Sequence, residues 1–103
     1  MPNFHPNSYG FYTALCSGEK SASELIFTGP CNLCSILVNT DGTNNVTVIV
    51  YDNTAASGKI VRRFAVKGTE NYGGTILKFP VDMAIGIYIS MVGVGGSYIV
   101  DYF

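Results

Sequence analysis

Turn-forming residues cut this chain into short apolar runs, and that punctuation constrains the fold more than any other feature. Asp41-Gly42-Thr43-Asn44, Asn53 with Ser57-Gly58, Gly73-Gly74 and Gly93-Val94-Gly95-Gly96 supply residues that tolerate positive φ where a chain must reverse. The runs between them have strand length and β-branched or aromatic content, at the spacing of sandwiches and barrels. Strands are expected at Phe11–Cys16, Leu25–Thr28, Cys31–Asn39, Asn45–Tyr51, Lys59–Val66, Thr75–Phe79, Ile85–Val92 and Ser97–Tyr102. The best helical window, Ser17 to Leu25, is short and serine-rich and reads as a turn or loop.

Alternation supports the strands. Val46, Val48 and Val50 share one face, and Thr47, Ile49 and Tyr51 share the other. Ile85, Ile87, Ile89 and Met91 form one row, backed by Gly86, Tyr88, Ser90 and Val92. Several strands are therefore apolar or aromatic on both faces. With only 13% charged residues to solvate them, part of the surface is expected to be covered by something besides this chain, self-association being the plainest option. At 103 residues, with no internal repeat, the chain reads as one domain over residues 11–103 preceded by an extended arm over residues 1–10. The fold expected is all-β: an antiparallel sandwich, jelly-roll-like.

Composition narrows the function classes. Six basic against seven acidic residues leave a net charge of −1, which argues against nucleic acid and against a polybasic membrane surface. Met83 to Val100 is uncharged and long enough to weigh as a membrane span. Its four glycines and acidic flanks fit two strands around a glycine hairpin turn better. Met1 to Tyr9 holds no apolar stretch, so no signal peptide is expected, and the triplet Asn45-Val46-Thr47 reads as chance.

Candidate chemistry is sparse. The three cysteines cannot all pair within one chain, and a reducing site of synthesis is expected. Cys31 and Cys34 have CxxC spacing, but they enter an apolar strand rather than a helix start, and a zinc site would have only Cys16 and His5 to add. Cys34, in line with Ile36 and Val38, is expected in the core, with Cys31 at a strand start. Asn39 to Asn45 is oxygen-rich but has one carboxylate and no closing glutamate, so it reads as a turn rather than a calcium loop. His5 lies in the arm and the carboxylates form no evident pair, so neither catalysis nor a cofactor is expected.

Contact residues are the remaining candidates. Arg62 and Arg63 fall on opposite faces of a strand, Arg62 in the otherwise apolar row Ile60, Phe64, Val66. An edge strand with a snorkelling arginine explains this, and so does an intersubunit ion pair. The seven tyrosines suit subunit interfaces and also suit carbohydrate stacking. Tyr51, Tyr88, Phe4 and Tyr9, with Arg62 and Arg63, are the expected interface residues.

From Val46 onward the chain resembles small virion-associated β-sandwich proteins of tailed bacteriophages. The likeness rests on Val48-Ile49-Val50-Tyr51-Asp52-Asn53-Thr54-Ala55-Ala56-Ser57-Gly58-Lys59, on Gly86-Ile87-Tyr88-Ile89, and on Gly93 and Gly95-Gly96 closing on Tyr98-Ile99-Val100-Asp101-Tyr102. The resemblance implies a non-enzymatic structural component of the particle, made in the host cytoplasm and located in the virion. Capsid decoration, or cement, is the leading expectation, as a homo-oligomer (a trimer would match three-fold positions of a shell) bound to the major capsid protein or other virion proteins. A neck or tail accessory role and a receptor- or glycan-binding module are the alternatives.

Overall fold

Val46, Val48 and Val50 are fully enclosed while Thr47, Ile49 and Tyr51 between them stay partly exposed, the period-two pattern of a strand with one face on a core. The structure, a computed structural model, describes residues 5–6 and 12–103. In chain order the strands are β1 (His5–Pro6), β2 (Tyr12–Thr13), β3 (Leu15–Cys16), β4 (Glu24–Thr28), β5 (Cys31–Asn39), β6 (Val46–Asp52), β7 (Lys59–Val66), β8 (Tyr72–Met83), β9 (Gly86–Val92) and β10 (Ser97–Tyr102). A 3-10 turn, Gly68–Glu70, joins β7 to β8.

Two four-stranded antiparallel sheets face each other: a first sheet in the order β3-β10-β5-β8 and a second in the order β4-β9-β6-β7. The pairings nest, β6 with β7 innermost, then β5 with β8, β4 with β9, and β3 with β10. Two further ladders, β10 with β5 and β9 with β6, close each sheet. Among these eight strands only the β6–β7 connection stays within one sheet; the others cross the core. The protein is thus an all-β antiparallel sandwich. Of the expected arm over residues 1–10, only His5–Pro6 lies within the described residues, and it pairs with Tyr12–Thr13.

The core lies between the sheets. Leu33, Ile36, Val38, Tyr98 and Val100 of the first sheet meet Val46, Val48, Val50, Ile87 and Ile89 of the second. Tyr98 carries the one polar tip among these side chains, and its hydroxyl donates to the Ala22 carbonyl at 2.8 Å. Main-chain bonds run both ways between Lys20 and Tyr98. The serine-rich window from Ser17 is therefore a crossover strapped to β10, not a helix. Burial, with Glu24 and Tyr88 nearby, pushes the Tyr98 phenol up to about 12.

Asp52 ends β6 inside the fold, 7% exposed, and accepts N–H bonds from Ala84 (3.0 Å), Ile85 (2.8 Å) and Gly86 (3.3 Å). It thereby fixes the β8–β9 crossover. Burial opposes its charge, but those three donors, with Lys59 nearby, outweigh burial and lower its pKa.

Several expectations change. Gly93 to Gly96 does not close a hairpin: β9 belongs to the second sheet and β10 to the first, so the segment arches over the end of the sandwich. The arch packs so closely that a Cβ on Gly96 would run into Val46 Cγ2. Cys31 starts β5 as expected, but it, and not Cys34, is the core cysteine. Cys31 is buried and Cys34 half-buried, because the β5 register shifts between Leu33 and Ser35 and carries the inward row from Cys31 and Leu33 to Ile36 and Val38. Similarly, a shift opposite Val50 and Tyr51 takes Ile60 out of the row of Arg62. The sixth expected strand, Thr75–Phe79, extends to Tyr72–Met83; it lies at a sheet edge, where glycines and Pro80 are tolerated.

Candidate functional site

Cross-strand register assembles the outer faces. On the outer face of the second sheet, Leu25 of β4 lies opposite Tyr88 of β9, Tyr88 opposite Tyr51 of β6, and Tyr51 opposite Ile60 of β7. These side chains form one apolar row across all four strands, with Leu25 and Ile60 at its ends about two-fifths exposed (39% and 43%). The next row is Ser90, Ile49 and Arg63, and the one after it Val92, Thr47 and Ala65. Arg63 is the charged member of these rows.

Of the expected interface residues, the structure brings together Tyr51 and Tyr88, directly opposite one another, with Arg63 one row away. Arg62 lies apart from them, opposite the enclosed Val50 on the inward side of β7. Its Nη1 turns back to donate to the Val61 carbonyl at 2.7 Å. β7 is an edge strand, and an inward-pointing charge there discourages another chain from adding to the ladder. Phe4 and Tyr9 lie outside the described residues.

The first sheet's outer face is different. Ile99 lies opposite Leu37 and Leu37 opposite Gly74; beside them Asp101 lies opposite Ser35, and Asn39 opposite Tyr72. The surface dips over Gly74 into a groove of about 420 Å³, lined by Tyr72, Leu37, Ile99, Ser35 and Asp101 among others. Ser35 Oγ donates to Asp101 Oδ2 at 2.8 Å. Alternation along Ser97–Tyr102 already sets Ile99 and Asp101 on one face, so half of this groove was legible. Tyr72 was not, because sequence places it before a strand that in fact begins with it.

The remaining motifs have structural uses. Asp41 Oδ1 accepts the N–H groups of Thr43 and Asn44, both at 2.8 Å, and Oδ2 accepts Asn44 Nδ2 at 2.7 Å. The Asn44 and Thr43 N–H donors lower its pKa, and the loop is a side-chain-stabilised turn. Cys16, Cys31 and Cys34 are all free thiols. Burial, then the charge of Asp52, pushes Cys31 up to about 11, and burial with Asp101 raises Cys34, so both disfavour the thiolate. Among the described residues no group of three or more His, Cys, Asp or Glu is arranged to hold a metal ion. No helix among them is long and apolar enough to cross a membrane, and residues 83–100 form most of β9 and β10 instead.

The two outer faces thus differ: one carries an apolar row across four strands, the other a groove. Comparison with family models, with curated proteins and with solved structures finds no match to this chain.

Proposed function

We propose that this protein is a non-enzymatic virion structural component, a capsid decoration protein that binds its shell through the outer face of the second sheet. The observation that carries the reading is the row Leu25–Tyr88–Tyr51–Ile60, an apolar strip across a whole sheet face with one neighbouring arginine. Aromatic residues and arginine are favoured in protein interfaces, and the half-buried Tyr51–Tyr88 pair continues into exposed Leu25 and Ile60 at the strip's ends. The nested strand order supports reading the sandwich as a jelly roll, a rigid frame suited to repeated placement. The resemblance of Val46 to Tyr102 to small bacteriophage virion proteins supports placing this protein on a particle, with the major capsid protein as the leading partner and other virion proteins as the alternative.

A face of four strands, about five residues deep, spans roughly 19 by 17 Å from strand spacing and rise. That is well short of the roughly 800 Å² per partner of a standard stable interface. Single contacts of this size are weak, and simultaneous contacts by an oligomer, such as a trimer, on a lattice add up. The test is co-sedimentation of the purified protein with undecorated capsids, alongside its sedimentation alone. The expected result is an oligomer that pellets with shells, and a Tyr51→Arg variant that still unfolds cooperatively above the assay temperature and stays in the supernatant. A monomer without affinity for shells contradicts the reading.

A further inference from the structure

The groove on the first sheet differs from the apolar row in shape and chemistry, and its features do not depend on the virion reading. Its volume, about 420 Å³, falls within the roughly 300–1,000 Å³ of small-ligand sites. The backbone keeps it open. Gly74 sits at φ 128°, and a Cβ there would run into the Ile36 carbonyl oxygen, so the dip beside Leu37 cannot be filled by a side chain.

At one end stands Tyr72, 68% exposed. Its predecessor Asn71 is the one non-glycine residue with positive φ among those described, at φ 70° and ψ −42°, near the rare and strained γ-turn. That conformation is held by the Asn71 carbonyl accepting Thr40 N–H at 2.7 Å and by Asn71 N–H donating to Gly68 at 3.3 Å. Backbone strain persists only where surroundings enforce it, and it concentrates at functional positions. Here it fixes the point from which an exposed aromatic ring enters the sheet.

At the other end the Ser35 hydroxyl hydrogen is committed to Asp101 Oδ2, so what this pair presents to a ligand is acceptor oxygens and a negative charge. Between the ends lie the apolar side chains of Leu37 and Ile99. Tyr72 and the position opposite Ser35 are four residues apart along β8, about 13 Å at the rise of a strand.

We propose that this groove binds a neutral oligosaccharide, one pyranose ring stacked on Tyr72 and a second donating its hydroxyls to Asp101 and Ser35. A pyranose joins an apolar C–H face to a rim of hydroxyl donors, which is the complement of an aromatic ring, an aliphatic floor and an acceptor pair. The Asp101 charge strengthens hydroxyl donation and repels anionic ligands, which selects uncharged sugars over sialylated, sulfated or phosphorylated ones. The span of the groove suits two linked rings rather than one.

The test titrates the full chain with cellopentaose, maltopentaose, chitopentaose and mannopentaose, with heparin pentasaccharide as the anionic arm and Nα-acetyl-lysine amide as the cationic one, read by saturation-transfer NMR and calorimetry. At least one neutral sugar binds and neither charged probe does. Tyr72→Ala weakens that binding by about tenfold, and Tyr72→Phe stays within about threefold of wild type, since stacking needs the ring and not the hydroxyl. Asp101→Asn also weakens it, and thermal melting confirms that each variant is folded. Binding of no neutral sugar, preference for either charged probe, or binding unaffected by Tyr72→Ala overturns the proposal. Shell binding by wild type is scored separately, so failure here leaves the reading of the second sheet standing.

Discussion

On the second sheet four outward side chains meet in one uninterrupted apolar row, whereas on the first sheet the equivalent surface breaks at Gly74 and carries a carboxylate–hydroxyl pair beyond the break. Both faces rest on the same core and the same alternation. Whether a face is flat or concave is decided by single residues at outward positions: Tyr51 and Tyr88 fill theirs, and Gly74 leaves its own empty. A flat strip suits a macromolecule, and a groove suits a small ligand. The inward sides hold most of the stability, and the outward sides carry the surfaces proposed for binding.

Substitutions should separate these roles, and the largest effect belongs to the shared core. Leu33 is fully enclosed, so Leu33→Ala is expected to destabilise by about 2–5 kcal/mol and to weaken both faces together. A lower urea midpoint, with any shell or sugar binding reduced on both faces together, is the expected result; a variant as stable as wild type, or one impaired on a single face, contradicts it.

Next comes Asp52, which ties β6, the strand carrying Tyr51, to the crossover into β9, the strand carrying Tyr88. Asp52→Ala removes the acceptor of three N–H groups, that of Gly86 buried and those of Ala84 and Ile85 partly so, and should cost about 1–3 kcal/mol. The pH dependence has a definite sign. The folded pKa lies below the unfolded value of about 3.9, so this stabilisation is present above that value and is lost as pH falls through the folded pKa. Urea titrations from pH 7 down to acid should show wild type losing stability in that range and Asp52→Ala losing less.

Alkaline pH acts on the core from the other side. An unfolded thiol ionises near pH 8.5, but Cys31 in the fold holds its proton to about 11. The unfolded state therefore sheds its proton first, and stability falls as pH rises through that window; Cys31→Ala should flatten this slope. Native thiol titration near neutral pH should find Cys16 reactive and Cys31 protected.

The smallest stability effects belong to the outer faces. Tyr51→Ser and Tyr88→Ser each remove half of a cross-strand pair and should cost about 1 kcal/mol or less, while shell binding is lost. Tyr72→Ala, at a mostly exposed position, should change stability by less than about 0.5 kcal/mol.

Much of this fold was legible because valine and isoleucine at alternate positions leave few other solutions. Cys31–Asn39, Lys59–Val66 and Ser97–Tyr102 fall where sequence puts them. Bulges were not legible: the shifts at Cys34 and Val61 depend on partner strands far along the chain, and they moved Cys34 and Ile60 off their expected faces. Nor was the arch at Gly93 to Gly96, since glycine permits a hairpin and a crossover equally, and only the pairing of β9 with β6 and β10 with β5 decides between them. The aromatic pair Tyr51 and Tyr88 was marked by residue type, but its direct opposition came only with the register.

Hydroxyl-radical footprinting of tyrosines, with and without undecorated shells, tests the division of labour between the faces most directly. Labelling of Tyr51 and Tyr88 should drop when shells are present, while Tyr72 keeps its free-protein level. Protection of Tyr72 with Tyr51 and Tyr88 unchanged would contradict the proposal that the second sheet is a shell-binding face.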